Sequence, residues 1–351
     1  MKVALFIRSL TKGGAEKQSI LTTEYLSHFY KTYLIVYNRS TSANHVSNTD
    51  LNITFLEGNL FRKVFEFYKV LKENKISHLI NYLPINNVLG IVIGKIAGVK
   101  YLYGGIRGVK HKIKYKMILQ KFVCNHLSTA FISNSHAAAE AYSNYGLDKK
   151  KIQVIHNAIE EVNFKKIPHT KLTILSVGRF IEEKDYFTAI KAVGYLLNSY
   201  PELREKIIYK IIGYGKLEDA IKEFVNAEGL QDVFQINSDG IIGDCYASSD
   251  IFLNTSIYEG MPNTVMEAMN HGLPIIATVA GDIKYLIKGS LNGYLCPIKD
   301  YKYIADKLHN VLSDNSLQTE MGRNSLKIIE NNFRPGKVFS AYRYLIEGKS
   351  E

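Results

Sequence analysis

Two successive series of short apolar runs, separated by stretches with helical spacing, limit what this chain can fold into. A strand buried on both faces reads as a near-continuous apolar run, because parallel sheets are covered by crossover helices. The first series predicts strands at Val3–Ile7, Tyr33–Tyr37, Ile53–Leu56, His78–Tyr82, Tyr101–Tyr103, Ala130–Ser133 and Gln153–Ile155. Helices are expected between them, among them Ala15–Phe29 and Phe61–Lys72; the second places Phe61, Val64, Phe65, Tyr68 and Leu71 at helical spacing. The second series predicts Leu172–Val177, Tyr209–Ile212, Val233–Ile236, Ile251–Leu253, Ile275–Thr278 and Tyr294–Leu295. Between the two, the polar stretch Glu160–Lys171, with Pro168, reads as a linker. The tail from Lys302 reads as helices broken at Arg334-Pro335-Gly336. At 351 residues the chain is long for one core. The pattern predicts an α/β protein of two Rossmann-like, doubly wound domains, residues 1–165 and 166–334, with a last helix at 335–351 returning to the first. Ligands of such sheets bind beyond the carboxyl ends of the strands, so the cleft between the domains is the expected site.

Composition narrows the setting. No apolar run approaches the roughly 18 to 20 residues of a membrane span. The richest candidate, Val88–Val99, is interrupted by Gly90, Gly94 and Lys95. The N-terminal residues Met1–Ile7 show neither a long apolar segment nor a small-residue cleavage site, so no signal peptide is expected. Cys124, Cys245 and Cys296 are scattered and form no metal or disulfide pattern, which suits a reducing cytoplasm. The net charge of +11 is uneven: residues 1–166 carry 24 Lys/Arg against 10 Asp/Glu, and no acidic residue lies between Glu73 and Glu140. Such a bias fits either a solvated basic face or an anionic partner.

The stretch Glu259-Gly260-Met261-Pro262-Asn263-Thr264-Val265-Met266-Glu267-Ala268 follows the run Ile251–Asn254 and holds two glutamates eight positions apart. The first should sit on a loop beyond a strand's carboxyl end. With Asn263 as N-cap, the second falls in the opening turns of a helix. Amides at a helix start favour a phosphate, and two carboxylates can accept hydroxyls on either side of it. A molecule with hydroxyls on both sides of a diphosphate is a nucleotide sugar. The plainer alternative is a solvated loop residue and a helix-dipole partner.

Other motifs add order and spacing. Gly13-Gly14-Ala15-Glu16 opens the first helix, where glycines admit close backbone approach, but it is not the GxGxxG dinucleotide fingerprint. Val177-Gly178-Arg179-Phe180-Ile181-Glu182-Glu183-Lys184 puts Arg179 and Lys184 on a loop after a strand. There they could neutralise a diphosphate, or pair with Glu182 and Glu183 on the surface. Ile212-Gly213-Tyr214-Gly215 closes another strand, Gly272-Leu273-Pro274 leads into the next, and Asn292-Gly293-Tyr294 reads as a hairpin-like turn.

Taken in order, GGAE, VGRF-x3-K, GYG, EGMPNTVMEAM, GLPIIAT and NGY resemble a family 4 glycosyltransferase of the GT-B fold, a group that includes bacterial capsule and lipopolysaccharide transferases. The resemblance runs from the first strand to about Leu295. It implies a retaining, metal-independent transfer of a sugar from a nucleoside diphosphate sugar, a UDP-sugar first, to a hydroxyl of a lipid-linked bacterial glycan. No cofactor is expected. Glu259, Arg179 and Lys184 are implied as catalytic. Glu267 would bind the ribose hydroxyls and Glu259 those of the donor sugar. Arg179 and Lys184 would hold the diphosphate, with Gly260, Met261, Pro262, Asn263 and Thr264 at the helix start and Gly13 and Gly14 across the cleft.

Two departures stand out. Where many members carry a histidine after the fifth strand, this chain reads Tyr103-Gly104-Gly105-Ile106-Arg107-Gly108, with His111 further on. The usual glycine after Val233–Ile236 is replaced by Asn237-Ser238-Asp239-Gly240. From Arg107 to Lys121 an apolar stripe of Val109, Ile113 and Met117 is flanked by Lys110, Lys112, Lys114 and Lys116. A helix of this kind lies on an anionic bilayer or packs on the sheet with a basic rim. The first reading places Arg107 and these lysines at the acceptor or the membrane, with the protein peripheral on the inner face of the plasma membrane. The competing functions are a GT-B sugar-nucleotide epimerase and a basic nucleic-acid-binding protein. No RNP, helix-turn-helix or zinc pattern supports the latter, and nucleic acid is not an expected partner.

Overall fold

Strand β1 (Lys2–Ile7) is buried beyond its first residue, as a strand covered on both faces must be. A computed structural model describes residues 1–10, 13–39, 50–108, 116–237 and 241–349. Within them β1 belongs to a seven-stranded sheet with β2 (Lys31–Val36), β3 (Ile53–Phe55), β4 (His78–Asn81), β5 (Tyr101–Ile106), β6 (Ala130–Ser133) and β7 (Ile152–Val154). The order is β3-β2-β1-β4-β5-β6-β7, and every pairing is parallel. Helices α1 (Gly14–Ser27), α2 (Leu60–Glu73), α3 (Pro84–Ile96), α4 (Lys116–Leu127) and α5 (His136–Asn144) supply the crossovers. Phe67 and Leu71 of α2, Ile91 of α3, Val123 of α4 and Ala138 of α5 share one core. Leu21 and Leu26 of α1 belong to another.

A second sheet of six strands contains β8 (Leu172–Val177), β9 (Ile207–Ile212), β10 (Phe234–Asn237), β11 (Ile251–Asn254), β12 (Ile275–Thr278) and β13 (Gly293–Cys296), in the order β10-β9-β8-β11-β12-β13. It too is parallel throughout. Around it lie α6 (Tyr186–Ser199), α7 (Glu218–Ala227), α8 (Ile242–Ala247), α9 (Asn263–Asn270), α10 (Ile283–Leu286), α11 (Tyr301–Leu312) and α12 (Asn315–Asn332). The last helices are α13 (Pro335–Val338) and α14 (Ser340–Glu347); Phe339 between them, with Tyr342 and Ile346 of α14, joins the core that holds Leu21 and Leu26 of α1.

The chain accordingly forms two units, Met1–Ala158 with Pro335–Glu351, and Ile159–Arg334. Ala158 closes the first: its N–H donates to Gln18 Oε1 at 2.9 Å and its carbonyl accepts from Gln18 Nε2 at 2.6 Å. Ile159 opens the second, its N–H donating to Phe333 O at 2.8 Å. The polar stretch from Glu160 to Lys171 therefore lies inside the second unit. No helix among the described residues is long and apolar enough to cross a membrane.

Two local expectations are corrected. Strand β5 continues past Tyr103 to Ile106, so Gly104 and Gly105 are strand, not loop. The Asn87 side chain holds Gly105 there, accepting from its N–H at 2.9 Å and donating to its carbonyl at 3.0 Å. Asn292-Gly293-Tyr294 is not a hairpin either. Gly293 begins β13, which runs parallel to β12 in register Ile275↔Gly293, while Asn292 stays in the preceding turn and accepts from Lys288 N–H at 2.9 Å.

Candidate functional site: two stapled loops in the second unit

Strand β8 ends at Val177, and the following loop carries Gly178, Arg179 and a single 3-10 turn, Glu182–Lys184. The GYG motif lets a neighbouring loop close on it. A Cβ at Gly213 would stand 1.9 Å from the Gly178 carbonyl oxygen, and Phe180 N–H donates to Tyr214 O at 2.8 Å. Asp185 ends the turn in the left-handed region (φ 46°) and caps α6, accepting from Thr188 Oγ1 at 2.7 Å. This fixes where the Lys184 side chain starts.

Strand β11, beside β8 in the sheet, is followed by Thr255-Ser256-Ile257-Tyr258-Glu259. Three hydrogen bonds staple this loop to the first. Thr255 Oγ1 donates to the carbonyls of Lys184 (3.1 Å) and Asp185 (2.9 Å), and Ile257 N–H donates to Glu183 O at 2.9 Å. The staples bring Lys184 Nζ to 2.5 Å from Glu259 Oε1, and both side chains are mostly buried. The same carboxylate oxygen accepts from Ser256 Oγ at 2.7 Å. Arg179 is exposed on the same loop, and Glu182, read as its neighbour in charge, pairs instead with Lys216 at 3.2 Å.

Gly260 and Met261 lead from Glu259 into α9, and Asp282 N–H holds the turn by donating to Gly260 O at 3.1 Å. The expected N-cap is corrected by one residue. Pro262 is extended (φ −78°, ψ 112°) and its carbonyl accepts the first helical bond from Met266 N–H, so Asn263 is already helical. Helix α9 thus starts with no side-chain cap. Thr264 Oγ1 in its first turn is buried with no hydrogen-bond partner among the described residues. One turn later, half-buried Glu267 receives a hydrogen bond on Oε2 from Tyr246 Oη at 3.1 Å. Burial first, and the Glu267 charge second, push the Tyr246 phenol well above its ordinary pKa, so it stays a donor.

Within this unit the structure therefore groups Arg179, Lys184, Glu259, Gly260, Met261, Pro262, Asn263, Thr264 and Glu267 on the segments that follow β8 and β11. Two cations, two carboxylates and a helix start can together take an anion flanked by hydroxyls. Ser256 and Tyr246, which hold the two glutamates, were not among the expected residues. A serine three positions before a loop glutamate and a tyrosine on another helix carry no readable sequence signal.

The remaining candidates belong to the first unit. Gly13 precedes α1 in an extended conformation and Gly14 opens it. Arg107 is packed: its guanidinium carbon lies 3.9 Å from the centre of the Tyr82 ring, Nη1 donates to Asn157 Oδ1 at 2.8 Å and Nη2 to Tyr342 Oη at 3.4 Å. Lys110, His111, Lys112 and Lys114 lie outside the described residues, as does the side chain of Lys116, whose backbone opens α4. The loop residues Ser238, Asp239 and Gly240 lie outside them too.

Residues 158–328 match the family model described as glycosyl transferases group 1. A lipopolysaccharide core biosynthesis glycosyltransferase, LpsE, of Rhizobium meliloti is 25% identical over 62% of this chain and 64% of its own length. The match thus spans under two thirds of that relative. A Campylobacter jejuni protein named for transfer of N-acetyl-D-galactosamine to an undecaprenol-PP-linked glycan is 23% identical, over 93% of this chain and 92% of its own. Among solved structures, Anabaena HepE in complex with UDP-glucose superposes with a TM-score of 0.88 at 16% identity, covering 99% of this chain and 100% of the other. That likeness establishes the GT-B fold.

Proposed function

We propose that this chain, which belongs through residues 158–328 to the group 1 glycosyl transferases, moves a sugar from a nucleoside diphosphate sugar to a hydroxyl of a lipid-linked bacterial glycan. A UDP-sugar is the first choice of donor, and capsule, exopolysaccharide or lipopolysaccharide assembly is the setting. The observation that carries the reading is the meeting of Lys184 and Glu259 at 2.5 Å, three residues before the Pro262 start of an uncapped helix.

The chemistry follows from the charges. When the bond between the anomeric carbon and the phosphate oxygen breaks, the electron pair leaves with the nucleoside diphosphate. Lys184, Arg179 and the first turn of α9 meet that growing charge, work that a bound metal would otherwise do. The acceptor hydroxyl bonds to the anomeric carbon on the departing side, so configuration is retained. Its proton passes to the leaving phosphate oxygen. Glu259 accepts hydroxyls of the donor sugar and Glu267 those of the ribose. The charge excess of residues 1–166 supports attachment to an anionic cytoplasmic membrane surface, where a lipid-linked acceptor resides.

Thermal unfolding with UDP, GDP, ADP and CMP, on wild type and Glu267→Ala, tests the donor site. A ligand at 100 times its Kd adds about 2.7 kcal/mol. Stabilisation by UDP, lost in the variant and unaffected by EDTA, is the expected result. No shift with any nucleotide would refute the reading. Flotation with anionic vesicles tests the membrane partner, and protein left in the pellet fraction would remove it.

A further inference from the structure

Tyr246 is a buried phenol on α8 whose hydroxyl the transfer chemistry leaves unused. It sits 1% exposed, its ring stacked on His271 at 5.0 Å between centroids and tilted against Phe252 at 5.9 Å. His271 is itself fixed: Nδ1 lies 2.7 Å from Glu267 O, one helical turn back, and its ring lies 4.8 Å from that of Phe164. The Tyr246 hydroxyl therefore has one position. It lies 3.1 Å from Glu267 Oε2 and 3.3 Å from Thr264 O, and of the two acceptors the carboxylate carries the charge.

We infer that Tyr246 is a positioning residue that locks the Glu267 carboxylate in the orientation that accepts a vicinal diol, and so sets the site's preference for ribonucleotides over deoxyribonucleotides. The inference rests on the proposed ribose role of Glu267. A glutamate on a helix surface samples several rotamers, and ordering it on binding costs affinity. A hydrogen bond from a buried, immobile phenol makes that payment in advance. A carboxylate has about four lone-pair sites, and the Tyr246 bond at Oε2 takes one of them. Removing one ligand hydroxyl then leaves an oriented, half-buried carboxylate short of a donor, which is the condition for strong discrimination.

The test is the ratio of Kd values for UDP and 2′-deoxy-UDP, measured on the full chain by calorimetry for wild type, Tyr246→Phe and Glu267→Gln. Because both ligands meet the same sample, the ratio is insensitive to any loss of folded protein. Wild type should favour UDP by about tenfold or more, in line with a hydrogen bond to a charged group. Tyr246→Phe keeps the ring and its stacking, and should cut the preference to about threefold or less by weakening UDP while barely changing 2′-deoxy-UDP. Glu267→Gln should lower it similarly. An undiminished preference in Glu267→Gln, or a wild type that binds neither nucleotide, overturns the ribose role itself. Loss in Glu267→Gln with full retention in Tyr246→Phe overturns the role of Tyr246 alone. Equal weakening of both ligands in Tyr246→Phe would make the tyrosine structural, and also refutes it.

Discussion

Lys184 and Glu259, 75 positions apart in sequence, form an ion pair at 2.5 Å with both side chains shielded from water. A donor diphosphate reaching Lys184 must share or displace that partner. The Glu259 carboxylate keeps a second anchor in Ser256 Oγ at 2.7 Å, which on the proposed reading holds it in place when the lysine turns to phosphate. On the proposed reading, removing the lysine costs the charge that meets the leaving group, and it also leaves a mostly buried carboxylate without its counter-charge. Lys184→Ala should lower kcat/KM about 10²- to 10³-fold, and exposed Arg179→Ala should lower it by a similar factor. Ser256→Ala, which removes only the anchor, should cost about tenfold or less. Steady-state kinetics of the three variants check the ranking, and a Ser256→Ala loss as large as that of Lys184→Ala would contradict it.

The backbone beneath Glu259 is equally constrained. Gly281 has φ +58°, and a Cβ there would stand 2.0 Å from the Glu259 carbonyl oxygen and 3.0 Å from that of Gly260. The next residue, Asp282, donates its N–H to Gly260, so the segment cannot simply back away. Gly281→Ala should cost roughly 2 kcal/mol or more through the left-handed backbone and the clash together. Activity of the folded fraction should also fall, because Glu259 must move. Urea unfolding and an activity assay on the same sample separate the two effects.

Much of this was legible in the sequence because parallel strands buried on both faces leave an unmistakable trace. Val3–Ile7 and Leu172–Val177 are strands in the structure almost to the residue. What escaped has a common cause, namely partners remote in the chain. Gly104 and Gly105 read as loop, yet the Asn87 amide holds Gly105 in β5. Asn292-Gly293 has the chemistry of a hairpin, and only its pairing with Ile275 on β12 makes it the edge of a parallel sheet. The Glu259–Glu267 spacing identified two carboxylates beside a helix start. It could not reveal that Lys184 and Ser256 hold one and Tyr246 the other.

The three cysteines are free and unequal. Burial pushes the thiols of Cys124 and Cys296 up to about 12, whereas that of half-buried Cys245 is raised less far. Because the thiolate is the nucleophile, iodoacetamide at pH 8 should modify Cys245 first. Cys124 and Cys296 should react only once the protein is unfolded in guanidinium. Mass mapping of the alkylated peptides follows the order. Early labelling of Cys124 would show that the α4 side of the first core opens in the native state.

His78 gives the first unit a pH dependence of known sign. The imidazole is buried on β4, stacked on the Tyr101 ring at 4.5 Å, with Nδ1 2.9 Å from Ser77 Oγ. Burial lowers its pKa below the ordinary 6.5; the N-terminal ammonium and Lys100 lower it further, and the backbone of Ile346 on α14 opposes them. A depressed pKa means that the unfolded chain takes up a proton near pH 6.5 that the folded chain refuses. Stability then falls as the pH drops through 6.5 toward the folded value, by at most about 1.4 kcal/mol per pH unit from this group. Above 6.5 His78 is neutral in both states and contributes no slope. His78→Phe, which keeps the stacking and cannot titrate, should unfold at a urea concentration whose difference from wild type shifts in favour of the variant between pH 7.5 and pH 5.5. A difference that stays constant over that interval would show that His78 titrates alike in both states, against the burial seen here.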